Sequence, residues 1–370
     1  MHIGIIGAGQ LGRMMALSGI PLGLQFTMYD QVAGAPGAAV APVVTGRFDD
    51  LRQLARFARS VDLVTFDWEN VPVASVRAIA KIRPVWPPPR ALAISQDRLL
   101  EKRLFQRLGI PVAPFAAVNT RRDLDRAIAT LGTPGLLKTR RLGYDGKGQA
   151  LIRRAPDVDA AWGSLQGQPL IYERFVNFSR EVSLVAVRDR AGRIACYPLA
   201  ANVHEQGILV ETRAPYRHAG LQRAAERHHR RLMQALGHVG VLCVEYFVER
   251  GRLVANEMAP RVHNSGHWTI EGAETSQFEN HIRAIAGLPL GGARARGHAV
   301  MVNLIGRMPA RTAVLGMPGV HLHDYGKSPR PGRKLGHLTA VAATARERDR
   351  AALRLLRVSG RQIESGDPLC

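Results

Sequence analysis

The 370-residue chain contains three cysteines, Cys196, Cys243 and Cys370, too few and too scattered for a disulfide framework or a cysteine-rich zinc site. Long apolar runs are missing although 46% of the residues are hydrophobic, so no membrane span is expected. The N-terminus opens directly into an apolar strand without a basic leader, and the expected location is the cytoplasm. Lysine is scarce: of 51 basic side chains only Lys81, Lys102, Lys138, Lys147, Lys327 and Lys334 are lysines. A formal charge of +21 would ordinarily suggest a polyanionic partner. The arginines are dispersed, however, and no basic helix, aromatic-basic platform or zinc motif accompanies them, so nucleic acid is not expected as a partner. Arginine enrichment with abundant Ala and Gly reads instead as compositional drift. Lysines that survive such drift should mark places that need a compact ammonium.

What is present begins with an α/β pattern. His2 to Ile6 is an apolar strand running into Gly7-Ala8-Gly9-Gln10-Leu11-Gly12 and a helix, with a second strand ending at Asp30. This is a dinucleotide fingerprint, and a nicotinamide oxidoreductase is one reading of it. The glycines themselves report only a tight turn and a helix N-terminus open to an anion. Val61 to Asp67 reads as a buried strand with Glu69 just beyond its C-terminal end, the edge where open α/β sheets bind ligands. The proline-rich stretch from Lys81 to Pro89 marks a first boundary, and Ser95 is expected to cap a helix carrying Arg98 in its first turn.

Two further stretches carry chemistry. A strand ending at Lys138 leads into the loop RRLGYDGKGQ, Arg140 to Gln149, where Gly143, Gly146 and Gly148 permit close backbone approach to an anion and Lys147 adds charge. Strands carrying Glu173 and Glu181 follow, and the backbone of Arg174, Phe175 and Val176 is placed to read an adenine edge. The stretch Val241 to Trp268 reads as a β-hairpin turning at Gly251. If pairing is centred there, Phe247 faces Ala255 and Glu245 faces Glu257. Directly opposed side chains lie about 5 Å apart at Cβ, where two carboxylates repel unless a cation sits between them. A divalent metal with free positions for phosphate oxygens answers that requirement. Near the C-terminus, Arg330-Pro331-Gly332-Arg333-Lys334 gathers three cations around a turn and suits a phosphate.

Taken together, Lys138, the glycine loop, Glu173, Glu181, Glu245 and Asn256-Glu257 stand in the order and spacing of the ATP-grasp ligases. GQLGRMM, ENVP, GYDGKGQ, APRVHNSGHWT and RPGRKLGHL further resemble the signatures of the N5-carboxyaminoimidazole ribonucleotide synthetases within them, over nearly the whole chain. The resemblance implies an α/β and α+β molecule: an N-terminal Rossmann-like (pre-ATP-grasp) domain over residues 1–95, a small ATP-grasp lobe over 96–175, and a central domain with a small C-terminal β-rich region over 176–370. It implies ATP at Arg98, Lys138, Gly143, Tyr144, Asp145, Gly146, Lys147, Gly148, Gln149, Glu173, Arg174, Phe175, Val176, Glu181, His204, Asn256 and Glu257. Magnesium, or manganese, would rest on Glu245 and Glu257. Where many relatives carry a further metal-binding Asn, this chain has Ala259.

The implied reaction is attack of bicarbonate on the γ-phosphate of ATP to give carboxyphosphate, which carboxylates 5-aminoimidazole ribonucleotide. Arg261, His263, Asn264 and Lys334 are the expected catalytic residues; His263 could act as a general base, but orienting an anion is favoured because departing phosphate can itself accept the amine proton. Gln10, Glu69, Arg330, Arg333 and Lys334 would bind the ribonucleotide. A homodimer is implied. A formate-dependent ATP-grasp ligase on a related ribonucleotide is the alternative within the superfamily.

Overall fold

The computed structural model describes residues 1–143 and 146–361, and its strands fall into three sheets. The first is parallel, in the order β3 (Val43–Thr45), β2 (Gln25–Asp30), β1 (His2–Ile6), β4 (Leu63–Phe66). Its strands are apolar on both faces because helices cover both. On one side Ile6, Tyr29, Phe57, Val64 and Phe66 form the domain's own core. On the other, Ile3, Ile5 and Met15 enter a shared core with Trp268, Phe278 and Ile282 of the central domain. Full burial of each such side chain contributes about 1.5–3 kcal/mol, so this contact binds the two domains firmly. A polar pin runs through it: His281 accepts from the Val241 amide at 3.1 Å and meets Thr65 Oγ1 at 2.9 Å.

The second sheet is a four-stranded antiparallel lobe, β5 (Phe115–Val118), β8 (Leu170–Arg174), β6 (Gly135–Thr139), β7 (Gln149–Ile152). The helices Arg121–Leu131 and Asp157–Leu165 cover it, and its core of Val118, Leu124, Leu137, Ile152 and Tyr172 is its own. The third and largest sheet has nine strands. Its path is β14 (Arg252–Ala259), β13 (Gly240–Glu249), β9 (Arg180–Arg188), β11 (Ala200–Glu205), β12 (Ile208–Ala214), β15 (His298–Ile305), β17 (Lys334–Ala342), β16 (Val320–Asp324), with β10 (Ile194–Cys196) beside β9. The C-terminal strands thus extend the central sheet rather than forming a layer apart, and this carries Lys334 towards the hairpin of β13 and β14.

The hairpin forms as expected, with a refinement. Arg250 and Gly251 both have positive φ, 49° and 74°, and make a two-residue turn between Glu249 and Arg252. That register pairs Tyr246 with Ala255 and Phe247 with Val254, not Phe247 with Ala255. An irregularity between Glu245 and Tyr246 leaves Asn256 as the extra residue and restores the pairing of Glu245 with Glu257.

The helix carrying Arg98 begins differently from expectation. Ser95 ends the preceding helix, Pro89–Ser95, and its hydroxyl turns back to Leu92 O at 3.1 Å. Asp97 is the cap: its carboxylate accepts from the Leu99 and Leu100 amides and receives Arg140 at 3.0 and 2.6 Å. A carboxylate at that position satisfies two orphan amides and favours the helix dipole. It also ties the start of the glycine loop to the helix that positions Arg98.

Candidate active site

The dinucleotide-type turn turns out to be filled from within. Asp67, at the end of β4, accepts from the Gly9 amide at 2.7 Å and the Gly12 amide at 3.1 Å, while Asp30 takes the Ala8 amide at 2.7 Å and the Val32 amide at 3.0 Å. A Cβ on Gly7, whose φ is 93°, would lie 1.7 Å from Asp67 Oδ1. The glycines therefore admit a carboxylate of the chain itself, and the nicotinamide reading loses both its pyrophosphate and its ribose anchor. Burial pushes the Asp67 carboxyl up to about 6, Asp30 adding to the rise and the Gly12 and Gly9 amides opposing it.

Beside this turn opens a cavity of about 580 Å³ whose lining draws on the segments following β1, β4 and β6 as well as on the third sheet. It is walled by Gln10 and Glu69 from the first domain, Arg98 and Gly143 from the lobe side, Glu245, Glu257, Arg261, His263 and Asn264 from the central domain, and Lys334 from β17. Residues more than 300 positions apart thus meet around one space. Glu69 pairs with Arg261 at 2.5 Å across the domain boundary. Arg98 Nη1 meets Glu257 Oε2 at 2.9 Å and its Nη2 donates to Gly143 O at 3.2 Å.

The two hairpin carboxylates differ in environment. Burial raises Glu245, with Glu257 adding to the rise and His204 opposing it. Burial would raise Glu257 too, but Arg98, with help from Lys138 and Lys102, brings it below its ordinary value. Two hard-oxygen donors on adjacent strands, one of them short of compensating charge, fit magnesium, whose other positions suit phosphate oxygens and water. Among the described residues no cluster of three or more His, Cys, Asp or Glu side chains offers a third protein ligand.

His204 donates or accepts at Glu181, 2.9 Å away, and lies 3.9 Å from Glu245. Burial opposes its charge, but Glu181 and Glu245 outweigh that and raise it. His263 stands 3.6 Å from Glu245 and is depressed well below its usual range by burial and by Arg261, Lys334 and His204, all of which disfavour its charged form. Asn264 exchanges two hydrogen bonds with Asn303, at 3.1 and 2.7 Å.

On the lobe side, Lys138 reaches Glu173 Oε2 at 3.1 Å in a buried cluster with Lys102, 3.3 Å from the same oxygen. Glu173 Oε1 has no partner among the described residues. The Arg174 and Phe175 amides are already bonded to Pro114 O and Pro134 O, so neither is free to read an adenine edge as expected. Gly146 and Gly148 have positive φ as the loop requires, with Lys147 exposed between them and Gln149 starting β7. Tyr144 and Asp145 lie outside the described residues. Asn256 is the half-buried bulge residue.

Arg330 and Arg333 do not line this cavity. Arg330 is exposed, and Arg333 folds back to Ser328 O and Oγ at 3.2 and 3.0 Å, because the Pro331-Gly332 turn faces outward. Lys327 lies there instead. Its Nζ is 2.5 Å from Gln10 Oε1 and 5.7 Å from the ring centre of Tyr325, which also lines the cavity. Burial and Arg333 lower Lys327 to about 8, with Asp67 opposing. Its scarcity value as a lysine was the available signal. Glu101, raised to about 8 by burial and by Glu257, was also missed; it holds the Met258 amide at 2.7 Å.

The comparisons with known proteins agree with this geometry. Residues 1–96 match the ribonucleotide synthetase preATP-grasp domain, 103–278 the ATP-grasp domain, and 299–351 the phosphoribosylaminoimidazole carboxylase C-terminal domain. The N5-carboxyaminoimidazole ribonucleotide synthase of Pseudomonas aeruginosa is 49% identical over 95% of this chain and 96% of its own, and that of Brucella melitensis 45% identical over 92% and 96%. The crystal structure of the synthetase from Thermus thermophilus superposes with a TM-score of 0.94 at 49% identity, covering 98% of this chain and 99% of that one. The Aspergillus clavatus synthase, solved with ADP and 5-aminoimidazole ribonucleotide, superposes at 0.90 with 30% identity, covering 97% and 98%. A fold and a sequence that coincide over almost the full length place this chain in the N5-carboxyaminoimidazole ribonucleotide synthase family of ATP-grasp ligases.

Proposed function

We propose that this ligase couples ATP cleavage to carboxylation of 5-aminoimidazole ribonucleotide with bicarbonate as the carbon source, and that the cavity is where both half-reactions occur. The observation that carries the reading is the junction at Lys334, which shares one space with Glu245, His263 and Lys327. ATP would lie between the lobe and the central sheet, its ribose near Glu181 and His204 and its phosphates under Gly143 to Gln149, Lys138 and Arg98. Magnesium, held by Glu245 and Glu257, would offset charge on the transferring phosphoryl group.

Arg261, His263 and Asn264 hold bicarbonate in line. A bicarbonate oxygen bonds to the γ-phosphorus, the bond to ADP breaks, and carboxyphosphate forms. Its carbon passes to the exocyclic amine as carbon dioxide, leaving phosphate, which takes the amine proton. The neutral His263 acts as an electrostatic donor in this scheme. Gln10 and Glu69 would meet the ribonucleotide, with its phosphate between Lys327 and Lys334 rather than at Arg330 and Arg333. A homodimer and a cytoplasmic location belong to the same reading. No helix among the described residues is long and apolar enough to cross a membrane.

The test is ADP release assayed with bicarbonate or formate, with and without 5-aminoimidazole ribonucleotide. Turnover requiring bicarbonate and the ribonucleotide together is expected, whereas formate-supported turnover would replace this reading with the formate-dependent one. In the same assay Lys327→Met should raise KM for the ribonucleotide about ten- to a hundredfold and leave that for ATP little changed, because a charged hydrogen bond to phosphate contributes roughly 1.5–3 kcal/mol.

A further inference from the structure

Beneath His263 runs a line of buried polar groups that the scheme above does not use. Thr212 Oγ1 on β12 donates to Asn202 Oδ1 on β11 at 3.0 Å, and Asn202 Nδ2 donates to Ser183 Oγ on β9 at 2.9 Å. Ser183 Oγ donates to Ser265 Oγ at 2.8 Å, and Ser265 Oγ lies 2.9 Å from His263 Nδ1. The four residues are 5% exposed or less, too deep for solvent to substitute for a missing partner. Strand register places them together. Asn202 opposes Thr212 on one side and Glu181 on the other, while Ser183 opposes Glu245, so the line shares its sheet face with the metal-type carboxylates.

A chain of hydroxyls can run either way unless one member cannot reverse. Here that member is the Ser265 backbone amide, which points at His263 Nδ1 from 3.3 Å and can only donate. Nδ1 is therefore the acceptor, and the Ser265 hydroxyl also donates to it. Ser265 Oγ must then accept from Ser183, as drawn, and it can also accept from the Cys243 thiol 3.7 Å away. The reverse orientation would set an N–H against an N–H in a dry interior, leaving donors unsatisfied at a cost of about 1–3 kcal/mol each. The ring proton consequently sits on Nε2, the nitrogen that faces Glu245 and the cavity.

We propose that Thr212, Asn202, Ser183 and Ser265 are positioning residues that lock His263 in its Nε2–H tautomer, so that it always presents a donor to the anion in the cavity and cannot accept a proton at that atom. The proposal deepens the reading of His263 as an anion-orienting group and rests on it.

The test uses the full-length 15N-labelled protein, with His263 imidazole signals assigned through His263→Gln. Long-range proton–nitrogen spectra should show Nε2–H in the wild type. In Asn202→Asp a carboxylate replaces the amide donor and takes the Ser183 hydroxyl, so Ser265 Oγ loses the bond it accepts and only the Ser265 amide still opposes reversal; the Nε2–H form should lose part of its excess to Nδ1–H and kcat fall about tenfold or more, with KM for ATP little changed. Thr212→Val, nearly isosteric, removes only the first donor and should shift the tautomer in part, while Thr212→Ser should behave as wild type. Nδ1–H in the wild type, an unmoved tautomer in both Asn202→Asp and Thr212→Val, or a moved tautomer with undiminished kcat overturns the proposal. The tautomer is read without substrate, so its outcome is separate from failure of the bicarbonate assay.

Discussion

Two glycine-rich stretches border the same cavity, one over residues 7–12 and one that begins at Gly143. In the first, Gly7, Gly9 and Gly12 make room for Asp67, and the amides that could have cradled a phosphate already hold that carboxylate. In the second, Gly143 O takes a hydrogen bond from Arg98 and Gly148 packs on Thr139 Oγ1, with Lys138 and Glu257 close to the same arginine. One turn contains its own anion; the other is surrounded by cations. A glycine motif announces that something will come close to the backbone, and the charges placed around it decide what.

The comparison can be broken most severely on the phosphate-handling side. Glu257→Gln removes a metal-type carboxylate and the partner of Arg98, so kcat should fall more than about a hundredfold, several kcal/mol of transition-state stabilisation, while the melting temperature stays close to wild type. A folded variant with ordinary turnover would remove the metal assignment. On the filled side the loss should appear in stability. Gly7→Ala drives a methyl into Asp67 at a positive φ and should lower unfolding free energy by roughly 2–4 kcal/mol, measured by urea denaturation, with KM for ATP unaltered.

A smaller and pH-dependent effect sharpens the contrast. Because Asp67 is raised to about 6, the folded protein keeps a proton that the unfolded chain loses near pH 4. Stability is therefore fullest below that lower value and declines as pH rises through 6, by about 2–3 kcal/mol in total. Asp67→Asn should abolish this decline. Parallel stability profiles for the two proteins between pH 4 and 7 would show that Asp67 is not held as a buried carboxyl.

The hairpin was legible because a two-residue turn and alternating side chains define a register, yet the pairing of Glu245 with Glu257 survives only through the bulge at Asn256. Bulges have no strong sequence signal, and the mispairing of Phe247 was the result. The fingerprint at 7–12 was legible as a shape but not as a function, since Asp67 lies 55 residues from Gly12 in sequence and nothing local announces it. Lysine scarcity was the more productive clue: Lys102, Lys138, Lys327 and Lys334 all reach the cavity or the cluster behind it. Arg330 and Arg333 lie outside the cavity lining, and a basic turn looks the same in sequence whether it faces a ligand or water. The directional hydrogen-bond line under His263 was not legible, since it depends on four residues drawn from three strands and a turn.

Gln10 and Lys327 are 317 positions apart and form one side of the cavity. Arg98, the two hairpin carboxylates, Arg261 and His263 all precede Lys327 and Lys334 in the chain. A chain stopped before β16 would possess the carboxylate pair and the lobe but neither of these two ammonium groups. The wall that carries these ammonium groups is thus completed only when β17 joins the central sheet.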